Sequence, residues 1–202
     1  MTMATKKKST GSLLSRRDTV RALLAERNDL LVVSGLGSPT WDVAAAGDHP
    51  LNFTLWGAMG GAAVIGLGLA LAQPARPVLV ITGDGEQLMG AGALATIGAR
   101  GPNNLTVAVL DNGRYGETGM QPSHTARGVD LAAIARACGF AWTESIDAPA
   151  ALGALRERIH RCEGAGFATL RIAADDPQRV MPMRDGVALK NRFRQALGFP
   201  PA

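Results

Sequence analysis

The stretch Val78-Leu79-Val80-Ile81-Thr82-Gly83-Asp84-Gly85 decides the fold. Its first five residues form a continuous aliphatic and β-branched run, which is typical of a strand buried on both faces of a parallel sheet. The glycines on either side of Asp84 allow a tight turn after this strand, and a helical pattern follows. We therefore expect the turn to lie at the carboxyl edge of the sheet, where such sheets bind their ligands.

Apolar strands and helical segments alternate on both sides of this stretch. Strands are predicted at 30–34, 51–56, 78–82, 105–110, 140–144 and 167–172. Helices are predicted at 15–27, 59–73, 88–100, 129–138, 148–163 and 187–197. The alternation predicts an α/β fold, with a doubly wound, mainly parallel six-stranded sheet and helices on both faces.

The chain is long enough for one domain with a substantial core. We expect residues 1–14 to form a disordered basic tail and residues 15–175 to form the ligand-binding domain. Residues 176–202, interrupted by prolines, are expected to form an extension with one helix. The apolar stretch 59–72 is too short and glycine-rich to span a bilayer, and the basic start does not resemble a signal peptide. We therefore expect a cytoplasmic protein with no membrane partner.

The formal net charge of +4 could suggest nucleic-acid binding, but tail lysines supply much of it. No aromatic and basic strip accompanies the charge, so no nucleic-acid partner is expected. An anionic ligand accounts for a basic domain equally well. Cys138 and Cys162 are isolated in the sequence and fit neither a zinc nor an iron–sulfur spacing, which favours two reduced thiols.

Two predicted strand ends carry oxygen donors suited to a divalent metal. Asp84 follows one strand, and Asn112 follows the next strand along the chain. Adjacent parallel strands would bring the carboxylate and the amide together, with the Arg114 carbonyl as a third donor, and such hard oxygens suit Mg²⁺. The N–H groups beside Gly83 and Gly85 could hold phosphate oxygens. Separately, Gly-Asp-Gly also marks ordinary turns and Asp-Asn-Gly marks hairpins.

Together, these motifs resemble the thiamine-diphosphate motif, which has Gly-Asp-Gly, a spacer of this length, and Asn at the end of the next strand. A wider run, over about 16–172, is similar to the sulfopyruvate and phosphonopyruvate decarboxylases. The matching pieces occur in the family's order: Ser34-Gly35-Leu36-Gly37, Trp56-Gly57-Ala58-Met59-Gly60, Ile65-Gly66-Leu67-Gly68-Leu69-Ala70-Leu71-Ala72, Gly83-Asp84-Gly85, and 111–121 with Tyr115-Gly116-Glu117-Thr118-Gly119.

The resemblance implies thiamine diphosphate and Mg²⁺ as cofactors. It assigns the metal to Asp84, Asn112 and the Arg114 carbonyl. The Gly57 carbonyl would accept from the cofactor's pyrimidine amine, and Met59 would support the bent cofactor, although plain core packing is the alternative for Met59. The implied cofactor-binding residues are Gly35, Gly57, Met59, Gly83, Asp84, Gly85, Asn112, Tyr115 and Gly116.

Glu86 departs from the family pattern, which has a small residue directly after the motif. A carboxylate beside a diphosphate is repulsive, so we expect Glu86 to point away and to serve the first turn of the following helix. Met59, Glu117 and His124 are the candidate catalytic residues, and His124 is the candidate proton donor. His124 could equally be a solvated surface residue. Arg114 or Arg127 would suit an anionic substrate tail.

These resemblances imply the beta-type subunit of a thiamine-diphosphate- and Mg²⁺-dependent 2-oxo acid decarboxylase, acting on a small anionic substrate. The family's chemistry needs a glutamate from a pyrimidine-binding domain, which we expect on a separate alpha subunit in a hetero-oligomer, as a heterotetramer. Two alternatives remain. One is another reaction of the same cofactor, such as carboligation or oxidation, of which the ferredoxin-linked type is disfavoured by the two scattered cysteines. The other is a non-catalytic structural subunit.

Overall fold

The computed structural model describes residues 13–201 and contains one six-stranded sheet and one two-stranded hairpin. The strands of the sheet are β1 (Leu31–Ser34), β2 (Asn52–Thr54), β3 (Val78–Gly83), β4 (Leu105–Asp111), β7 (Trp142–Ile146) and β8 (Gly166–Arg171). The hairpin pairs β5 (Arg114–Tyr115) with β6 (Gln121–Pro122). The helices are α1 (Arg16–Leu24), α2 (Ser38–Ala45), α3 (Ala62–Ala72), α4 (Asp84–Met89), α5 (Gly92–Arg100), α6 (Leu131–Ala137), α7 (Leu152–Arg161) and α8 (Gly186–Ala196).

The sheet has the order β2-β1-β3-β4-β8-β7, and every neighbouring pair of strands is parallel. The predicted α/β class and six-stranded parallel sheet are confirmed. From β1 the chain moves outward to β2 and then returns to β3 on the other side of β1. The order of the strands therefore reverses between β1 and β3, and such a reversal opens a ligand crevice at the carboxyl edge.

Side chains of successive residues alternate between the two faces of the sheet, and each face has its own core. Val78 and Val80 of β3 belong to a cluster that includes residues of α3, α5 and α6. Leu79 and Ile81 belong to a cluster that includes residues of α1, α2 and α7. Helices cover both faces of the sheet, which explains why β3 is a continuous apolar run.

The structure adds one helix that was not predicted and corrects two that were. Residues 38–45 form α2, which the apolar patterning did not predict. The helix predicted at 88–100 is two helices, because the chain bends at Gly90, where an added Cβ would lie 2.2 Å from the Gly60 carbonyl oxygen. The helix predicted from Met59 begins only at Ala62, because Ala58 and Gly60 have φ values of 58° and 82°, outside the right-handed helical region.

The two ends of the described chain pack against the sheet. Leu14, which the sequence assigned to the tail, is 2% exposed and bridges Ile172, so it packs in the fold; residues 1–12 of the predicted tail lie outside the described residues. At the other end, α8 confirms the helix predicted in the extension. Its Phe193 ring meets the Phe53 ring edge-on, with the ring centroids 5.5 Å apart.

Within residues 13–201, no helix is both long and apolar enough to cross a membrane. The two cysteines in this part of the chain are free thiols, as the sequence predicted.

Candidate functional site

A cavity opens at the carboxyl edge of the sheet, beyond the ends of β3 and β4. Gly83 is opposite Leu110 in the register, so the two chain segments that follow these residues leave the sheet side by side. The cavity brings together most of the predicted site residues. They are Met59, Gly83, Asp84, Gly85, Asn112, Arg114, Tyr115, Gly116 and Glu117.

Asp84 is a buried carboxylate held by two hydroxyl groups from a distant loop. Ser123 donates to Asp84 Oδ2 over 2.5 Å, and Thr125 Oγ1 lies 3.0 Å from the same oxygen. Burial raises the pKa of Asp84 and the nearby Asp111 raises it further, while the two hydroxyl hydrogen bonds oppose this rise. Asp84 thus carries an ionisation cost that a cation at its other oxygen would offset.

Asp111 ends β4 next to Asp84 but has its own partners. Arg171 lies 3.2 Å from Asp111 Oδ2, and the backbone N–H of Gly113 donates to Oδ1 over 3.0 Å. Thr125 Oγ1 is 2.7 Å from Oδ1 as well, and its single hydrogen can serve only one carboxylate at a time. Asp111 therefore shapes the loop, and Asp84 is the carboxylate of the pair that lines the cavity.

Asn112 begins the turn into the β5–β6 hairpin. Its side-chain oxygen accepts the backbone N–H of Arg114 at 2.9 Å, which is an Asx turn. The turn places the amide in the wall of the cavity that also contains Asp84. Among the described residues, no group of three His, Cys, Asp or Glu side chains could hold a metal. A metal here would therefore need amide and carbonyl oxygens beside the single carboxylate.

Tyr115 connects the hairpin to the Gly-Asp-Gly turn. A Cβ added at Gly85 would lie 2.8 Å from the Tyr115 ring, so the ring requires glycine at this position. The Tyr115 hydroxyl is hydrogen-bonded to Nδ1 of His124. His124 itself is exposed and lies outside the cavity wall, so it reaches the site only through Tyr115.

The remaining predicted residues occupy different positions. Met59 is 46% exposed and lines the cavity, which excludes the alternative that it is a core residue. Glu117 leans on the loop before α2, since a Cβ at Gly37 would lie 2.5 Å from its Oε1. Gly57 is exposed and Gly35 is buried, and both lie outside the cavity wall.

Glu86 does not point away from the cavity, contrary to the expectation from sequence. It does occupy the first turn of α4, but its side chain is 6% exposed and lines the cavity. Thr82 Oγ1 donates to Glu86 Oε2 at 2.8 Å, whereas Oε1 is buried without a hydrogen-bond partner among the described residues. The sequence predicted that Glu86 would point away, because its carboxylate would repel a diphosphate. The absence of a side chain at Gly35 instead leaves space for the carboxylate inside the cavity.

Sequence reasoning missed three residues that shape the site. Ser123 and Thr125 are 39 and 41 residues from Asp84, and no spacing rule connects them. Arg16 is 2% exposed and lines the cavity, with its Nε 3.1 Å from Asp42 in α2. Because α2 was not predicted, the buried partner of this arginine could not be recognised.

The fold agrees with comparisons to known proteins. A family model described as "Thiamine pyrophosphate enzyme, C-terminal TPP binding domain" matches residues 36–172. Among solved structures, the benzoylformate decarboxylase of Polynucleobacter necessarius superposes with a TM-score of 0.65 at 18% identity, over 90% of this chain and 36% of that chain. At that identity the likeness establishes the fold alone.

Curated relatives are similar in sequence as well. A phosphonopyruvate decarboxylase of Streptomyces viridochromogenes is 37% identical over 93% of this chain and 47% of its own length. A sulfopyruvate decarboxylase subunit beta of Methanothermobacter thermautotrophicus is 41% identical over 63% of this chain and 68% of its own length. The chain spans less than half the length of several decarboxylases that it matches. From the domain match and these relatives, the chain belongs to the family of C-terminal TPP-binding domains of thiamine pyrophosphate enzymes.

Proposed function

We propose that the chain is the diphosphate-binding, beta-type subunit of a Mg²⁺-dependent thiamine diphosphate enzyme that decarboxylates a small anionic 2-oxo acid. The observation that supports this most is the meeting of Asp84 and Asn112 in one cavity wall at the ends of neighbouring strands. The family match supports the cofactor, and the names of the relatives support the reaction.

The donors at the metal end fit a hard divalent ion. Ser123 and Thr125 both contact Asp84 Oδ2, which leaves Oδ1 for the ion. The Asn112 amide oxygen and the Arg114 carbonyl would add two neutral oxygens, and diphosphate oxygens and water would fill the remaining positions. A buried carboxylate whose pKa is raised by burial is the kind of group that a bound cation stabilises.

The backbone next to this metal end is open to a phosphate. A Cβ added at Gly83 would meet no atom within 4 Å, so free space begins at this residue. At Gly85 the Tyr115 ring occupies the place where a side chain would begin. The crevice beside β1 is less open to a phosphate, because the Glu86 carboxylate lies in it.

When bound, thiamine diphosphate supplies the electron sink that decarboxylation of a 2-oxo acid requires. The residues of this chain would bind and orient the cofactor and the substrate. Met59, exposed on the cavity wall, would support the cofactor. Glu117 and Tyr115 line the cavity, and His124, hydrogen-bonded to the Tyr115 hydroxyl through its ring nitrogen, would move a proton by way of Tyr115. Arg114, exposed in the same wall, would attract the anionic tail of the substrate.

A second subunit would complete the site by supplying the pyrimidine-binding half. The subunit naming of the Methanothermobacter relative supports this partner. Exposed apolar side chains would receive it. This apolar surface comprises Trp56, Met59, Val64, Leu71 and Met89, which are 38–66% exposed, and Met59 also lines the cavity. Side chains of this kind dominate interfaces between subunits, and we propose a heterotetramer with an alpha subunit.

Assays on the assembled complex test the proposal. The full chain would be purified from its native cells with its partner and supplied with Mg²⁺, thiamine diphosphate and candidate 2-oxo acids. We expect CO₂ release that Asp84→Ala reduces by at least about 100-fold, since even indirect metal contacts are worth 10–100-fold. Product analysis with an added aldehyde or electron acceptor would identify carboligation or oxidation instead. Full activity of the Asp84→Ala complex would favour the non-catalytic subunit.

A further inference from the structure

The crevice between β1 and β3 has a built-in occupant. The strand order reverses here, which makes it the expected ligand crevice of a doubly wound sheet. The Gly35 N–H is hydrogen-bonded to the Ile81 carbonyl at 2.8 Å, so the loop after β1 stays close to β3. Leu36 and Gly83 line the same cavity as Glu86, and their backbone groups lower the pKa of the Glu86 carboxyl group.

The Glu86 carboxylate lies directly on the backbone of Gly35, the residue that follows β1. A Cβ added at Gly35 would lie 1.9 Å from Glu86 Oε2 and 2.8 Å from Oε1. Any other residue at position 35 would therefore displace the carboxylate. The absence of a side chain at Gly35 and the length of the Glu86 side chain are matched to each other.

Hydrogen-bond donors that suit an anion surround this carboxylate. Burial raises the pKa of Glu86, while the Thr82 hydroxyl and the backbone groups of Leu36, Gly60 and Gly83 act in the opposite direction. The Thr82 hydroxyl donates to Oε2, and Oε1 has no hydrogen-bond partner among residues 13–201. The crevice thus offers hydroxyl and amide donors to an anion, but only one of the two Glu86 carboxylate oxygens is hydrogen-bonded.

A cofactor diphosphate in the place we propose would need the same donors. Gly83 belongs to the motif that would hold it, and Leu36 follows Gly35 in the loop opposite. Two anions cannot share one buried set of donors without strong repulsion. The Glu86 side chain and the diphosphate therefore exclude each other.

We propose that Glu86 acts as an internal competitor for the diphosphate, filling the β1–β3 crevice with its own carboxylate until the cofactor displaces it. This inference rests on the proposed function, because it needs the diphosphate to bind beside Gly83. It assigns Glu86 a role in setting cofactor affinity rather than in the chemical step. Because of this competition, the chain binds any diphosphate more weakly than it would if Glu86 did not occupy the crevice.

Calorimetric titration of the full chain tests this competition. The ligands are thiamine diphosphate and inorganic pyrophosphate, each with and without Mg²⁺. Glu86→Ala removes both charge and volume, and we expect it to bind both ligands at least about tenfold more tightly than the wild type. Glu86→Gln keeps the volume and should give a smaller gain in affinity. Glu163→Gln, 52% exposed and paired with Arg161, removes the same charge far from the site and should change nothing.

The outcomes separate this inference from the proposed function. A damaged fold would weaken binding, so a gain in affinity cannot arise from misfolding. If Glu86→Ala binds no more tightly than the wild type while Asp84→Asn abolishes Mg²⁺-dependent binding, the competition is refuted and the proposed function stands. If Glu86→Ala tightens pyrophosphate binding while Mg²⁺ and Asp84 prove irrelevant, the competition stands and the proposed function fails. If no form of the chain binds either ligand, whether alone or assembled with its partner subunit, both fail.

Discussion

Ser123 Oγ lies 2.5 Å from Asp84 Oδ2, although 39 residues separate them in the chain. The bond fixes the β6 loop to the Gly-Asp-Gly turn and assigns one carboxylate oxygen to the protein itself. Partners of this kind orient a metal-binding carboxylate without touching the metal.

Ser123→Ala is therefore expected to weaken Mg²⁺-dependent thiamine diphosphate binding by about 10–100-fold, the range found for such indirect partners. Titration calorimetry would measure the loss, and circular dichroism would verify the fold. Thr96→Ala, at an exposed position on α5, is the matched control and should bind as the wild type does. An unchanged affinity in Ser123→Ala would show that the hydroxyl does not position Asp84.

Glu86 should give the stability of the chain a recognisable pH dependence. Its pKa is raised by burial. An acid whose pKa is higher in the folded chain stabilises the fold below its unfolded pKa, about 4.3, and loses that contribution as the pH rises through the folded value. Glu86→Gln cannot ionise, so the free energy of unfolding of this variant should increase relative to that of the wild type as the pH rises above the unfolded pKa.

The gain should be about 1.4 kcal/mol for each unit by which the folded pKa is raised. Urea denaturation at a series of pH values would measure it, with Glu163→Gln as the exposed control. A difference between Glu86→Gln and the wild type that stays constant with pH would mean that Glu86 titrates normally.

Gly35→Ala should destabilise the chain through Glu86. The added Cβ would lie 1.9 Å from Glu86 Oε2, and such overpacking typically costs about 1–3 kcal/mol. The double variant Gly35→Ala/Glu86→Ala should recover most of this loss, which thermal unfolding would detect. Gly92→Ala, where a Cβ meets nothing within 4 Å, is the control. Equal destabilisation of the single and double variants would contradict the contact.

The exposed apolar surface should be needed for subunit assembly. Val64 and Leu71 are 49% and 44% exposed on α3. We expect Leu71→Arg to abolish co-purification of the partner while leaving the fold intact, because a charge would be buried in the interface. Val187→Arg, at a 63% exposed position on α8, should assemble normally. Retained assembly by Leu71→Arg would place the interface elsewhere.

The sheet and the meeting of Asp84 and Asn112 in one cavity wall were predictable from local patterns. The central strands are short apolar runs, and parallel strands deliver their last residues to the same edge, so Asp84 and Asn112 could be paired from sequence. Helix α2 was not predictable in this way. It begins within the glycine-rich loop after β1, and its buried Asp42 is stabilised by Arg16 and Arg17 from α1, partners that patterning does not reveal.

The direction of the Glu86 side chain also required the tertiary structure. A charged residue at the start of a helix predicts a solvent-facing carboxylate that favours the helix dipole. The bare backbone at Gly35, which lies 51 positions earlier in the chain, is what admits the side chain into the crevice. A contact between such distant positions leaves no periodic signal in the sequence.

Binding of thiamine diphosphate by the Asp84→Asn chain tests the central claim most directly. Calorimetric titrations with and without Mg²⁺ would compare it with the wild type and with Asp18→Asn, an exposed α1 control. We expect Mg²⁺ to tighten binding by the wild type and by Asp18→Asn, and to have no effect on Asp84→Asn. Equal, Mg²⁺-dependent affinity in all three chains would show that this carboxylate does not hold the metal.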